Sequence, residues 1–286
     1  MNSDDIEKRA NTIHALDFQK SHNGMTATLK EGYIECNIID LKPETIIYRI
    51  IPFCRLLEIL ENQKLTLVKP RLWEDPLENF LLKATGETTN GEKVSFESIR
   101  EAFYALCWSL REECDGLWRT FRTKQVSVKL KSSVNKLIDS FYDIENPFHY
   151  LSYFIGKVEY ISDNDIRKVF SKNIDRFFSS DNILLINTLL VKRAAFNYEQ
   201  EVRLIFNLPN NDDEDYSKVK NRWNKNSDCF SFKIDINSVI DEIVFEPWVS
   251  KDDYKNMETN IRNLNYNGPI KRSDLYDEQT FKVRIS

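Results

Sequence analysis

The chain has 286 residues, a formal net charge of −5, 7 glycines and 8 prolines, and this length is ample for one large domain with a sizeable core. A net acidic chain has no general attraction for nucleic acid, and the scarcity of glycine disfavours a glycine-rich nucleotide loop. No apolar run reaches the ~18 residues of a membrane-spanning helix, and the N-terminal stretch has no secretory signal pattern, so a cytoplasmic protein is expected.

The five cysteines are widely spaced without a CxxC pair, and there are only three histidines. This pattern argues against a disulfide framework and a structural zinc site, and it makes Ser-His-Asp or Cys-His catalysis improbable. Any chemistry must therefore come from carboxylates, arginines, hydroxyls and aromatic rings, and no metal is expected.

Residues 1–43 are polar and weakly periodic, so we predict an N-terminal extension followed by a single domain over 44–286. Apolar periodicity in that domain predicts strands at 45–51, 64–68, 104–110, 125–131, 149–161, 198–206, 229–236 and 241–249, and helices at 52–63, 96–103, 133–141, 182–194 and 251–264. They follow one another without regular βαβ alternation. The predicted class is α+β, with mixed, mostly antiparallel central sheets and flanking helices.

The predicted strand YEQEVRLIF, residues 198–206, is the most informative stretch. Alternation places Glu199, Glu201 and Arg203 on one face and apolar residues on the other. The simplest interpretation is a solvated face whose Glu–Arg pair contributes ~0–1 kcal/mol. The run is apolar enough for a central strand, however, and a charged face of a central strand must be covered or must line a cleft.

The loop RLWEDPLENF, residues 71–80, carries a second group of acidic residues. Asp75 is well placed to cap a helix, with Glu78 at the third helical position as in a capping box. Trp73 is not explained by capping, so its ring is expected either to cover the core or to stack on another ring.

Three further residues stand out on predicted elements. Arg49 lies in an almost wholly apolar strand, so it should meet a carboxylate or a ligand anion, or lie in water at a sheet edge. Ser109 is either a small polar residue within a sheet or a hydrogen-bond donor in a pocket. Trp118 lies on a short helix, where packing into the core is its simplest role.

Taken in order, the stretches YRIIPFCRLLEILENQKLTLVKPRLWEDPLEN, CWSLREECDGLWRTF and KRAAFNYEQEVRLI resemble the bacterial domain of unknown function 2971 family. That family has an Asn-Asp-Pro-x-Glu loop and a Tyr-Glu-x-Glu-x-Arg strand. Here Glu74 replaces the usual Asn, whereas Asp75 and Glu78 match. The resemblance covers residues ~45–250 in pieces and implies no function by itself.

A more distant resemblance is to the ADP-ribosyltransferase superfamily in its Arg-Ser-Glu form, because Arg49, Ser109 and the Glu199–Glu201 pair occur in that order on predicted strands. It implies an enzyme that transfers ADP-ribose from NAD or cleaves NAD, acting on a protein or nucleic-acid acceptor, with a toxin-like or phage-defence role. The roles that follow are Glu201 as catalytic carboxylate, Glu199 as its partner, Arg49 as phosphate anchor, Ser109 as supporting hydroxyl, Trp73 or Trp118 as stacking ring, and Arg203 as a further NAD-binding residue.

Two alternatives remain open at this point. The same face could serve a non-enzymatic module that binds a nucleotide or a protein. The chain could also be a nuclease in which Asp75, Glu78, Glu199 and Glu201 hold a divalent cation.

Overall fold

The computed structural model describes residues 3–75, 77–78, 83, 85–87, 90–122, 125–146, 149–165, 183–208 and 227–278. Its α-helices are α1 (Ser3–Asn23), α2 (Ala27–Cys36), α3 (Phe53–Asn62), α4 (Glu97–Arg100), α5 (Asp115–Phe121), α6 (Val134–Phe141), α7 (His149–Ser152), α8 (Ile183–Leu189), α9 (Ile236–Val239) and α10 (Lys251–Asn263). Short 3-10 helices span Pro70–Leu72 and Ala194–Glu199.

The strands are β1 (Ile38–Ile39), β2 (Ile46–Pro52), β3 (Lys64–Val68), β4 (Thr85–Glu87), β5 (Lys93–Ser95), β6 (Phe103–Ser109), β7 (Ser127–Ser133), β8 (Tyr153–Lys157), β9 (Glu159–Ile161), β10 (Val191–Arg193), β11 (Glu201–Asn207), β12 (Cys229–Lys233), β13 (Glu242–Phe245) and β14 (Ile270–Arg272). Ten of these described strands form one sheet in the order β1-β8-β11-β6-β2-β7-β13-β14, with β3 and β12 branching from β6. Neighbours are antiparallel except β1–β8 and β13–β14, which confirms the predicted α+β class with a mixed, mostly antiparallel sheet.

Strand β11 lies in the middle of the sheet and is buried along its whole length. Its apolar face is matched row by row by β6, as Val202 pairs with Trp108 and Leu204 with Leu106. These rows belong to the main hydrophobic core. The opposite face packs a second, smaller core that includes Ile205. Burial on both faces means that any charge on β11 must be compensated within the protein.

Three predicted elements differ in more than small shifts of their ends. The strand predicted at 198–206 begins at Glu201, because the residues before it coil into the 3-10 helix and Gln200 adopts a left-handed φ of 46°. The helix predicted at 182–194 ends at Leu189 and is followed by β10. The strand predicted at 149–161 divides into α7, β8 and β9. The polar loop expected at 207–228 lies mostly outside the described residues.

Strand β6 is the junction of the sheet. Along one edge it pairs with all of β11, whereas on the other edge it meets β2 at the pair Tyr48–Ser109 and β3 at the pair Val68–Ala105. Residues 106–108 have no strand partner on that edge within the described portion of the chain. An opening is therefore left in the sheet beside the end of β6.

Residues 3–43, predicted as a polar extension, form α1, α2 and β1, which pack on the domain. Ile13 and Tyr33 belong to the main core. The Arg9 guanidinium of α1 donates to the Cys36 carbonyl (3.0 Å), the Asn37 side chain (2.8 Å) and the Tyr150 carbonyl (3.1 Å). No helix among the described residues is both long and apolar enough to cross a membrane.

The buried Arg9 contacts predict that α1 contributes to the stability of the domain. Replacing Arg9 by Met should lower the free energy of unfolding by about 2–3 kcal/mol, because a charge-assisted donor is lost and its acceptors are left unsatisfied. Urea denaturation measures this change, with Lys8→Met as the control on an exposed position of the same helix. Equal stability of the two variants would mean that α1 is not docked as described.

Candidate functional site

Two cations and three carboxylates form a buried network at the start of β11. Lys192 Nζ on β10 lies 2.6 Å from Glu199, 3.3 Å from Glu201 and 3.2 Å from Glu78. The Arg203 guanidinium contacts Glu201 at 2.6 Å and Glu78 at 2.7 Å, and it also donates to the Leu189 carbonyl at 2.7 Å. Four separate chain segments are thereby joined at one point.

This network overturns the interpretation of the charged face as solvated. Arg203 is 1% exposed and Glu201 is 7% exposed. Removing one partner from such a buried network leaves an uncompensated charge and typically costs about 3–5 kcal/mol. Glu199 belongs to the same network, although it ends the 3-10 helix instead of lying on the strand.

The two glutamates of the pair have different proton affinities. Burial raises the pKa of Glu199, and Lys192 offsets this only in part. Burial acts in the same direction on Glu201, but Arg203 and Lys192 outweigh it, so the pKa of Glu201 is lowered. The surroundings therefore push the two pKa values apart, with that of Glu199 shifted up and that of Glu201 shifted down, so Glu201 is the carboxyl group held in its ionised form.

The loop predicted to hold Trp73, Asp75 and Glu78 covers the network. The Trp73 ring stacks on the Arg203 guanidinium at 4.1 Å, a cation–π contact. Asp75 accepts from the Leu77 backbone N–H (3.0 Å), as a capping residue does, and also binds Arg193 at 2.8 Å. The Glu78 side chain turns to Lys192 and Arg203 instead of completing a capping box.

A cavity of 140 Å³ adjoins the carboxylate pair. It is lined by Tyr48, Arg49, Ile50, Cys107, Trp108, Ser109, Arg111, Glu112, Leu117, Phe121, Lys129, Glu199 and Glu201. Cross-strand pairing relates three of these residues directly: Tyr48 on β2 pairs with Ser109 on β6, and Ser109 pairs with Glu201 on β11. Directly paired residues share a face, so these three side chains form a row across the sheet.

Ser109 fixes the backbone at Glu199. Its hydroxyl donates to the Glu199 carbonyl at 2.6 Å and accepts from the Arg111 backbone N–H at 3.0 Å. The neighbouring Cys107 also lines the cavity, and burial raises the pKa of its thiol to about 12, so it is not a thiolate nucleophile at neutral pH.

Arg49 reaches the same cavity but from the other side of its strand. It pairs with Leu130 on β7, whereas its neighbour Tyr48 pairs with Ser109, so alternation directs Arg49 away from the Tyr48 face. Among the described residues it makes no hydrogen bond or ion pair. Burial lowers its pKa to about 10, and the charges that modify this value belong to Cys107 and Arg55. The carboxylate of Glu201 on β11 is bound to Arg203 and Lys192, so it is not a partner of Arg49.

Neither tryptophan predicted as a stacking ring lines the cavity. Trp118 is fully buried, and its indole Nε1–H donates to Glu113 at 2.6 Å, so it is a core residue of α5. The Trp73 ring is stacked against the Arg203 guanidinium. Sequence reasoning also missed Lys192, Tyr48 and Lys129, although Lys192 opens the KRAAF segment just before the glutamate pair.

The carboxylates that a nuclease would use as metal ligands are engaged with basic groups. Glu78, Glu199 and Glu201 share Lys192, and Asp75 binds Arg193. A divalent cation would have to displace these ammonium and guanidinium groups from a buried site. These carboxylate oxygens are therefore better suited to fixed ion pairs with Lys and Arg side chains than to binding a metal ion.

No protein-family model and no curated protein matches the chain. Three solved structures of DarT from Thermus sp. 2.9, in complex with carba-NAD+, with NAD+ and with ADP-ribosylated single-stranded DNA, are similar to it at 10–11% identity. The alignments cover 82% of this chain and 97–100% of the DarT chains, with TM-scores of 0.37–0.38. Similarity at this level does not establish a shared function.

The network predicts how stability depends on pH. Because the pKa of Glu201 is lowered in the folded state, its ionised form contributes stability above the unfolded pKa of about 4.3, and this contribution is lost as pH falls through the folded pKa. Glu201→Gln should therefore cost about 3–5 kcal/mol at pH 7 and progressively less below pH ~4. Urea unfolding at several pH values tests this, with the exposed Glu159→Gln as control. A cost that does not change with pH would contradict the assigned ionisation.

Proposed function

We propose that the protein uses NAD, either transferring ADP-ribose to an acceptor or cleaving the nicotinamide–ribose bond, with the cavity beside Glu201 as its active site. One observation carries this proposal. Ser109 and Glu201 lie in one row across neighbouring strands, and Arg49 and Glu199 line the same cavity. The four residues implied by the resemblance thus border one cavity, although they are up to 152 positions apart (201 − 49).

The chemistry needs one ionised and one protonatable carboxyl group. When the bond between ribose C1′ and nicotinamide breaks, the electron pair leaves with nicotinamide and positive charge develops on the ribose. The ionised Glu201 would stabilise this charge, with Lys192 and Arg203 fixing its orientation. Glu199, as a carboxylate, would take the proton from the attacking water or acceptor hydroxyl as the new bond to C1′ forms, and its raised pKa favours its becoming the carboxylic acid.

The size of the cavity limits what it can hold. A volume of 140 Å³ is below the ~300–1,000 Å³ of typical small-molecule sites, so it accommodates the reacting part of a dinucleotide and not the whole molecule. The remainder would extend past the exposed Arg111 and Glu112. A protein or nucleic-acid acceptor and a toxin-like or phage-defence role are part of this proposal on the resemblance alone.

Release of nicotinamide from NAD labelled in that ring tests the proposal, with and without protein and nucleic-acid acceptors. Wild type should release nicotinamide, and Glu201→Gln should reduce the rate by about 10²-fold or more, as the loss of a transition-state charge contact does. Glu159→Gln should behave as wild type, because that side chain is exposed on β9.

The control outcomes separate the alternatives. If wild type binds NAD without releasing nicotinamide and Glu201→Gln binds equally well, the non-enzymatic module is favoured. If wild type neither binds nor cleaves NAD, the proposed function is refuted.

A further inference from the structure

A buried lysine on the cavity wall has donors that its protein partners leave unused. Lys129 on β7 is 2% exposed. Its ammonium lies 3.5 Å from Glu113 Oε2 and 5.5 Å from the Tyr48 ring, and the described residues offer it no closer anionic or hydrogen-bonding partner. An ammonium has three donors, and 3.5 Å is beyond the usual range of a strong hydrogen bond.

Glu113 is committed mainly to other groups. Its Oε1 accepts from the Trp118 indole N–H at 2.6 Å and from the Ser273 hydroxyl. These donors are neutral, so the carboxylate keeps its charge and pairs with Lys129 through Oε2 at 3.5 Å. That single long contact uses at most one of the three ammonium donors, and the donors left over can bind an anion at the cavity wall, where the surroundings screen charge poorly.

Tyr48 supplies a second unused group beside Lys129. The Tyr48 side chain is 8% exposed and lines the cavity, and its hydroxyl makes no hydrogen bond to any described residue. Pairing of β2 with β7 sets Tyr48 opposite Lys131 and Ile50 opposite Lys129, so Tyr48 and Lys129 lie on one face. That face is also the one that carries Ser109 and Glu201.

The carboxylate pair and the lysine lie apart in the cavity wall, which also carries Arg49, Arg111 and Glu112. Glu201 is on β11 and Lys129 is on β7, three strand spacings or ~14 Å away. We propose that Lys129 and Tyr48 form an anion subsite that holds a phosphate group of the ligand while its ribose lies at Glu201. This subsite rests on the proposed function for the identity of the ligand, but its affinity for phosphate can be measured independently.

In this subsite Lys129 contributes more to phosphate binding than Arg49 does. Arg49 leaves β2 on the opposite face, whereas Lys129 shares the face of the carboxylate pair. The two assignments make opposite predictions for two single variants, Lys129→Met and Arg49→Met. Each change removes a charge and keeps an unbranched apolar side chain.

Isothermal titration calorimetry with inorganic pyrophosphate is the test, because pyrophosphate carries the phosphate chemistry without ribose or nicotinamide. Wild type should bind it, and Lys129→Met should weaken binding about tenfold or more, the loss of a charge-assisted hydrogen bond. Tyr48→Phe removes only a hydroxyl and should weaken pyrophosphate binding about threefold. This variant provides the test if Lys129→Met does not fold. Lys131→Met, on the same strand and face but outside the cavity lining, should bind within twofold of wild type.

Two results would overturn the subsite: no pyrophosphate binding by wild type, or a larger loss in Arg49→Met than in Lys129→Met and Tyr48→Phe. Failure of the subsite and failure of the proposed function are distinguishable. Lys129-dependent pyrophosphate binding without nicotinamide release supports the subsite and refutes NAD cleavage. Nicotinamide release that Lys129→Met leaves unchanged supports NAD cleavage and refutes the subsite.

Discussion

The ion-pair network of Lys192 and Arg203 with three carboxylates is the interaction on which the site depends. Charges this deeply buried are tolerated only when each has a partner, and here every carboxylate contacts a cation within about 3 Å. The network joins β10, β11, the 3-10 helix before β11 and the loop after β3. Orientation of the glutamate pair is therefore a property of the tertiary fold and not of one segment.

The position of Glu201 depends equally on the register of three strands. Because side chains alternate along a strand, a slip of one residue between β11 and β6 would turn Glu201 into the hydrophobic core. Matched apolar rows such as Val202 with Trp108 hold the register. The same register brings Tyr48 and Ser109 beside Glu201, and β7 then adds Lys129 at the far end. Ordinary sheet geometry thus sets Glu201 and Lys129 apart on one face of the sheet.

Much of the fold could be predicted from periodicity, because most of the regular elements contain clear apolar alternation. The helix at Phe53–Asn62 and the strand at Lys64–Val68 match their predictions closely. The start of β11 could not be predicted, because Gln200 takes a left-handed conformation that no glycine signals. The ion-pair partners of the glutamates could not be predicted either. The sequence linked Arg49 to the glutamates, whereas in the structure Arg203 binds Glu201. Tyr48 and Lys129 could be assigned to the site only from the strand register.

A crystal structure of the protein with a non-cleavable NAD analogue would show whether the cavity beside the Glu199–Glu201 pair is the active site of an NAD-using enzyme. We expect the ribose next to Glu201, the Glu199 carboxyl group close to C1′, and a phosphate oxygen within hydrogen-bonding distance of Lys129 Nζ. An analogue bound elsewhere on the protein, with the cavity unoccupied and the ion-pair network unchanged, would contradict it.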